Sequence, residues 1–522
     1  MTDSWVNSAE RIGADLHVEL AGSGSRRAAL IRALRAAVQD GRLAPGTRLP
    51  PYRSLAADLG LARNTVADAY AELVAEGWLT ARQGSGTRVA PRAEPPRPAR
   101  APKKVPRRAA APAHNLMQGQ PDAGSFPRGA WLSAARRALN TAPNEAFGPG
   151  DPQGRIELRR ALAGYLARVR GVRTTPDRIV ICSGFGHALR LLFGGQVLHG
   201  PLAVESYGLP FHRSLLAEAG VRTVPIGLDE QGARVAELTE GRERRERSDR
   251  SDRSDRSEGS GGLEGLEGSE GSEGSDGCER EVRGAARAAL KGVRAVLLTP
   301  AHQFPTGGPL HPERRAAVVD WARARGRVIL EDDYDGEFRY DREPVGAVQG
   351  LDPERVVYLG SVSKSLSPAV RLGWMVLPEQ LVDPVLAAKG QREAWASVLD
   401  QLTLADLIES GGYDRHVRRM RQRYRARRDQ LLAALDEHAP HITAAGIAAG
   451  LHAVLRLPPG TERAVLKATA WQGIALDGLA AYRHPDATMP GQDGLVVGYA
   501  TPPDHAYQAA LEALCRALPP TP

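Results

Sequence analysis

The residues best suited to chemistry lie in two short runs. Glu331-Asp332-Asp333-Tyr334-Asp335 closes an apolar, β-branched stretch, and Ser361-Val362-Ser363-Lys364-Ser365-Leu366 is followed shortly by Arg371. A lysine amine can condense with an aldehyde. A carboxylate can pair with a pyridine nitrogen and keep the ring electron-accepting. Joined to an anion-holding corner, those two functions describe a site for pyridoxal 5'-phosphate. In that reading Lys364 is the condensing amine and Asp332 faces the pyridine nitrogen. Tyr334, two residues on and therefore on the same side of an extended chain, donates to the ring's 3-oxygen. Arg371, with its forked guanidinium, and Ser361 hold the phosphate. Ser183-Gly184-Phe185-Gly186, where a strand gives way to a helix, adds backbone N–H groups and the positive end of a helix dipole. Each piece has a plainer reading: a lysine on the surface, a glycine pair in a turn, an acidic run that could bind a metal. Their joint order and spacing carries the argument.

These groups need a frame that brings strand ends together. Buried-strand candidates are 178–182, 295–298, 328–330 and 356–359, each apolar and β-branched, with helical patterns between several of them. That alternation predicts an α/β domain with a mainly parallel sheet and helices on both faces. Ligands bind such folds beyond the carboxyl ends of the strands, where Asp332 and Ser361 fall.

The first ninety positions read differently. Leu30, Ala33, Leu34, Ala37 and Val38 recur at helical spacing and predict an amphipathic helix ending near Gly41. A second helix is expected from Pro51 to Leu59, and a third from Arg63 to Glu76 after a turn at Gly60. The alternation 78–82, the turn Gly84-Ser85-Gly86 and the run 87–89 predict a hairpin. Helix, helix-turn-helix and wing is a DNA-reading layout. Arg53, Arg63, Asn64 and Thr65 stand at helix starts, where side chains and N–H groups can meet phosphates or base edges. Arg82 on the wing can reach the backbone or the minor groove. The plainer reading makes them solvated polar residues of a small bundle.

With 522 residues the chain is long enough for a small module and a large one. Its formal charge of +8 is unevenly spread. Residues 1–90 carry 11 Arg against 9 acidic residues, whereas 91–112, rich in Pro, Ala and Arg, carry seven basic residues against Glu94. The rest is near neutral, so phosphate-backbone contact is expected from the N-terminal quarter. Residues 91–112 read as a semi-rigid linker. Residues 240–282, with 14 acidic and 8 basic residues in low-complexity repeats, read as a disordered insertion. Three cysteines, Cys182, Cys278 and Cys515, give no disulfide framework or zinc spacing. Neither a leader pattern nor an 18-residue apolar run is present, and a cytoplasmic protein with no membrane segment is expected.

Two resemblances follow from these motifs. Leu49-Pro50 through Leu55-Ala56-Ala57-Asp58-Leu59-Gly60, Arg63-Asn64-Thr65-Val66 to Tyr70, and Leu73 to Gly77 resemble the GntR-type winged helix, placed at 15–90. Tyr70 and Gly86 complete its DNA-binding set. Ala62 stands where Ser usually precedes the recognition-helix Arg, removing a cap worth about 1 kcal/mol. From Gly150-Asp151-Pro152-Gln153-Gly154 through Leu158-Arg159, the Arg170-Gly171-Val172 turn, His302-Gln303-Phe304-Pro305-Thr306-Gly307, the Asp332 run and Lys364, residues 113–518 resemble fold-type I aminotransferases. The combination resembles the MocR or GabR-like regulators. The resemblance implies a pyridoxal-phosphate-dependent transcriptional regulator, a homodimer, and operator DNA with two half-sites.

Departures from the pattern shape the expectation. Aminotransferases anchor a substrate carboxylate with an Arg in a strand near the C-terminus. The matching run here is Leu495-Val496-Val497-Gly498-Tyr499-Ala500, and Thr501 stands where the Arg is expected. Glu205-Ser206-Tyr207-Gly208-Leu209 replaces a run that often reads Pro-Gly-Tyr, so the cofactor's aromatic partner is displaced to Tyr207 or absent. Phe304 replaces an Asn that contacts the cofactor. The losses fall on transamination more than on cofactor binding, which favours a sensor of pyridoxal phosphate or of an amine or amino acid, controlling vitamin B6 or amino-acid metabolism. The alternative is an active aminotransferase with an accessory DNA-binding domain.

Overall fold

The computed structural model describes residues 20, 24–82, 86–91, 112–148, 150–239, 288–340, 346–390 and 396–520. The interior of the expected linker, the 240–282 insertion, the N-terminal residues and the Gly84-Ser85 turn lie outside them. The chain divides into two compact units, Met1–Ala110 and Ala111–Pro522.

In the first unit, helices α1 (Arg26–Gln39), α2 (Tyr52–Asp58) and α3 (Arg63–Ala75) precede strands β1 (Leu79–Arg82) and β2 (Gly86–Val89). The strands pair antiparallel, with Leu79 opposite Val89 and Arg82 opposite Gly86. Ser25 caps α1 by accepting from Ala28 N at 3.3 Å, whereas α3 starts at Ala62 with no side-chain cap. Pro51 precedes α2 as its cap and leaves Tyr52 as the first helical residue. Leu30, Leu34, Leu55, Val66, Leu73, Leu79 and Val89 form the core. Tyr70 belongs to that core. It is 5% exposed, and its hydroxyl donates to Pro50 O at 3.0 Å, so the expected DNA contact is corrected to a structural one. Position 70 falls on the apolar stripe of α3 with Val66 and Leu73, and an amphipathic helix buries that stripe.

The second unit is built on a seven-stranded sheet. In chain order its strands are β3 (Ile179–Cys182), β4 (Leu202–Glu205), β5 (Thr223–Ile226), β6 (Ala295–Leu298), β7 (Val328–Asp332), β8 (Val356–Ser361) and β9 (Gly373–Val376), arranged β3-β9-β8-β7-β6-β4-β5. Pairings from β8 to β5 are parallel, while β9 runs antiparallel to both β8 and β3. The sheet is thus mainly parallel with one reversed strand, which the alternation of strands and helices did not show. A four-stranded antiparallel sheet follows, with β10 (Thr443–Ala445), β11 (His452–Arg456), β12 (Asp477–Gly478) and β13 (Gly494–Gly498) in the order β10-β11-β13-β12.

Five helices matter for the site: α4 (Arg128–Thr141), α5 (Ile156–Arg170), α6 (Phe185–Leu189), α7 (Pro210–Glu218) and α8 (Gly412–His438). Every residue of β3, β4 and β9 is buried, as expected for strands covered on both faces. No helix among the described residues is long and apolar enough to cross a membrane.

Candidate functional site

On the first unit the starts of α2 and α3 present Tyr52, Arg53, Arg63 and Asn64 as exposed side chains, with Thr65 half-buried behind them. The Arg63 guanidinium lies 5.2 Å from the Tyr52 ring centroid, and its Nη2 donates to the Tyr52 hydroxyl at 3.4 Å. Arg82 is exposed at the end of β1. Gly86 has φ +77°, and a Cβ there would fall 3.2 Å from Arg48 Nε. Its role is therefore conformational: it lets the wing turn beside Arg48.

The second unit encloses a cavity of about 590 Å³ beyond the carboxyl ends of the parallel strands. Asp332 ends β7 and Ser361 ends β8, and the parallel register places Asp332 opposite Leu359. Lys364 sits in the turn after β8, and its Nζ donates to the Gly119 carbonyl. Lys364, Asp332, Tyr334, Ser361, Arg371, Gly184, Phe185 and Gly186 all line this one cavity. The tertiary fold brings together segments far apart in sequence.

The acidic run is sorted residue by residue. Asp333 pairs with Arg170 at 2.6 Å and accepts from Tyr358 at 2.7 Å, all buried. Asp335 lies 2.8 Å from His302 Nδ1, which is 2.9 Å from the Tyr334 hydroxyl. Tyr334, His302 and Asp335 thus form one hydrogen-bonded group, and burial first, then Asp335 and Asp332, push the Tyr334 phenol well above its ordinary value. Of the run, Asp332 and Tyr334 line the cavity, and among the described residues no ion pair holds the Asp332 carboxylate. Among the described residues no group of three or more His, Cys, Asp and Glu that could hold a metal ion is found. Burial, reinforced by Asp333 and Asp335, pushes the Asp332 carboxyl well above the usual range. Burial lowers the Lys364 ammonium, opposed by Asp332 and Asp335. Both groups are driven toward their neutral forms.

The anion corner is assembled by close backbone packing. A Cβ on Gly373 would fall 2.8 Å from Gly184 Cα, so the Ser183-Gly184 turn lies against β9 directly opposite Ser361 in the β8–β9 register. Among the described residues the N–H groups of Gly184, Phe185 and Gly186 have no internal acceptor. The Ser183 N–H donates instead to His187 Nδ1 at 3.1 Å. Arg371 adopts φ +55° and makes no hydrogen bond or ion pair among the described residues. An amine, a carboxylate, and a corner of cation, hydroxyl and free N–H groups suit an aldehyde-bearing phosphorylated pyridine.

Several residues escaped the sequence reading. His212 packs on Phe185 with ring centroids 4.4 Å apart, forming an aromatic wall. Glu205, at the end of β4, accepts through Oε2 from Thr299 Oγ1 at 2.6 Å, Thr299 N at 3.2 Å and Gln303 Nε2 at 3.4 Å. Burial pushes its carboxyl up to about 7. The signal for Glu205 was available: it closes the apolar run Leu202-Ala203-Val204, as Asp332 closes its own. Arg213 braces the loop beside it by donating to Gly208 O at 2.8 Å and Tyr482 O at 3.1 Å. Tyr207 is buried, and its hydroxyl accepts from Gln492 N at 3.2 Å, while Leu209 also lines the cavity. Thr501 lies beyond β13, outside the cavity, with its hydroxyl 2.6 Å from Met117 O and 3.0 Å from Gln120 O. The strand ends at Gly498, three residues before Thr501. The strand itself carries only Gly, Leu and Val, all buried.

Comparison with known proteins bears on both units. The family model of the bacterial regulatory proteins of the gntR family matches residues 27–89, and that of the class I and II aminotransferases matches residues 279–483. The chain is 30% identical over 496 residues to the probable rhizopine catabolism regulatory protein MocR of Rhizobium meliloti, covering 90% of this chain and 89% of the relative. The chain belongs to the MocR-like subfamily of GntR transcriptional regulators. This MocR-like regulator is also 29% identical to the pyridoxine biosynthesis transcriptional regulator PdxR of Corynebacterium glutamicum, covering 87% of this chain and 88% of that one. Its second unit has the aminotransferase fold. The multiple substrate aminotransferase of Thermococcus profundus superposes with a TM-score of 0.62 at 22% identity, over 79% of this chain and 92% of that one. Aminotransferases of this class depend on pyridoxal phosphate in general.

Proposed function

We propose that this MocR-like regulator holds pyridoxal phosphate at Lys364 and that pyridoxal phosphate is itself the signal that changes operator binding. The observation that carries the reading is the meeting of Lys364 and Asp332 in one buried cavity, each driven toward its neutral form. Bound there, the cofactor supplies an aldehyde that condenses reversibly with an amine. Burial lowers the Lys364 ammonium, which favours the free amine that condenses. Asp332 would pair with the pyridine nitrogen. Arg371, Ser361 and the N–H groups of Gly184, Phe185 and Gly186 hold the phosphate, and Tyr334 donates to the ring oxygen. The Phe185–His212 wall excludes water from one side.

The choice of signal rests on β13. With buried Leu495, Val496 and Val497 in that strand and no arginine from Gly494 to Thr501, a forked carboxylate clamp is missing there. The name of the 29% identical PdxR supports control of vitamin B6 synthesis. DNA binding is assigned to Arg53, Arg63, Asn64, Thr65 and Arg82 of a domain at 15–90, and cofactor sensing to 113–518. The regulator acts in the cytoplasm, and as a homodimer. Leu132, Leu139 and Phe147, on and just after α4, are exposed apolar side chains suited to pairing.

The test is an absorbance spectrum with and without added pyridoxal phosphate, followed by borohydride reduction, peptide mapping, and binding to duplexes selected from a random pool. A band near 400–430 nm (about the range of a lysine-linked cofactor), a reduced adduct on Lys364 and altered duplex affinity are expected. No band and no adduct would overturn the cofactor assignment. Turnover of an amino donor would favour the aminotransferase alternative.

A further inference from the structure

The residue after Lys364 is held more tightly than Lys364 itself. Ser365 is 2% exposed, and two of its atoms are gripped by one helix. Its Oγ lies 2.6 Å from the Tyr413 hydroxyl, and its carbonyl oxygen lies 2.8 Å from His416 Nε2. Tyr413 and His416 stand three residues apart near the start of α8, so both project from one face of that helix. Both are buried, at 1% and 4% exposure.

The donors can be assigned. Arg419 Nη2 lies 3.1 Å from His416 Nδ1, and a guanidinium can only donate, so Nδ1 accepts and Nε2–H is left to donate to the Ser365 carbonyl. The Tyr413 hydroxyl is also 3.0 Å from Glu337 Oε1. With its proton on that carboxylate, the phenol oxygen accepts from Ser365 Oγ. The hydroxyl and the carbonyl of Ser365 are then both satisfied by α8.

Within the turn, Leu366 N and Ser367 N donate to Val362 O, and Val362 N donates to Leu372 O. The backbone carrying Lys364 is therefore fixed on one side by its own turn and on the other by α8. The same helix also contacts two further segments. Arg427 donates to the carbonyls of Tyr499 and Ala500, each at 3.1 Å, just past β13. Arg423 pairs with Asp122 at 2.6 Å, in the segment that follows Gly119, the acceptor for the Lys364 amine.

We infer that Tyr413 and His416 are positioning residues for Lys364, acting through Ser365, and that α8 ties the lysine turn to the segments beyond β13 and Gly119. This rests on the role proposed for Lys364. A packing role alone would require the ring volumes of Tyr413 and His416, whereas a positioning role requires the hydroxyl of one and the N–H of the other.

Four variants separate these. Tyr413→Phe and Ser365→Ala keep the fold's volume and remove the hydroxyl pair, His416→Leu removes the donor, and His416→Gln keeps a donor as a rescue. The first readout is the pH profile of Lys364 acetylation by acetic anhydride, quantified by peptide mass spectrometry, which needs no cofactor. The second is the rate of appearance of the borohydride-reducible band on adding pyridoxal phosphate. In the full-length chain, Tyr413→Phe, Ser365→Ala and His416→Leu are expected to move the acetylation midpoint upward toward that of an ordinary lysine. They should also slow band formation about tenfold, as misplacement of a reacting group does. His416→Gln should return both toward wild type. An unchanged acetylation profile in all variants, or no difference between His416→Gln and His416→Leu, would overturn the inference. No band in the wild-type chain would instead overturn the cofactor assignment, while the acetylation profile still decides whether α8 positions Lys364.

Discussion

Arg170 and Asp333 form a buried ion pair with Nε 2.6 Å from Oδ2, one residue along the chain from the Asp332 that faces the cavity. The pair anchors the end of β7 to the end of α5, and Tyr358 on β8 adds a third contact. Asp332 is thus presented by a strand end that cannot turn. Arg170→Leu leaves Asp333 buried and uncompensated. It is expected to lower the stability of the large unit by about 3–5 kcal/mol, read as a drop in its thermal transition. A change under 1 kcal/mol would show that water reaches Asp333.

Asp332→Asn should behave in the opposite way. Its carboxyl is already driven toward the neutral form by burial, so replacing it by an amide should change stability by no more than about 1 kcal/mol. Pyridoxal phosphate affinity should fall by on the order of tenfold or more, because the partner of the pyridine nitrogen is lost. Titration of the absorbance band checks both halves.

Glu205 gives the large unit a pH dependence. Its folded value is pushed up to about 7 from an ordinary 4.5 by burial, and its three donors among the described residues all meet Oε2. A raised folded value means that the folded state binds the proton more tightly. The stabilisation is complete below about pH 4.5 and is lost as pH rises through about 7. Melting temperature should therefore fall between pH 5 and pH 8 (roughly this window), and Glu205→Gln should make the fall shallower. Glu331 and Glu337, also pushed up to about 7 by burial, act in the same direction and keep part of the slope.

On the winged helix, Arg63→Ala should weaken binding to a selected duplex by about 1–3 kcal/mol if the guanidinium reads a base edge. Tyr70→Phe should leave that affinity unchanged. It should cost the small unit about 1 kcal/mol by leaving the Pro50 carbonyl without its donor. An affinity loss in Tyr70→Phe would return that residue to the DNA surface.

Local rules determined much of this protein. The apolar runs ending at Cys182, Leu298, Leu330 and Leu359 marked strands because a strand buried on both faces needs unbroken apolar side chains. Helical spacing from Leu30 to Val38 and the turn glycines of the wing marked the first unit, and the order of Asp332, Tyr334, Lys364 and Arg371 marked the site. Tertiary structure alone decided which neighbours in the acidic run do which work. Sequence presents Asp332, Asp333 and Asp335 as equals, and they differ only because Arg170, His302 and the cavity approach from different elements. Tyr70 reads as a polar-tipped residue on a recognition helix until Pro50 is seen above it. The reversed direction of β9, the Phe185–His212 wall and the grip of α8 on Ser365 are pairings between distant segments. Loop closure and packing select such pairings among many alternatives, and no local period in the chain records the choice.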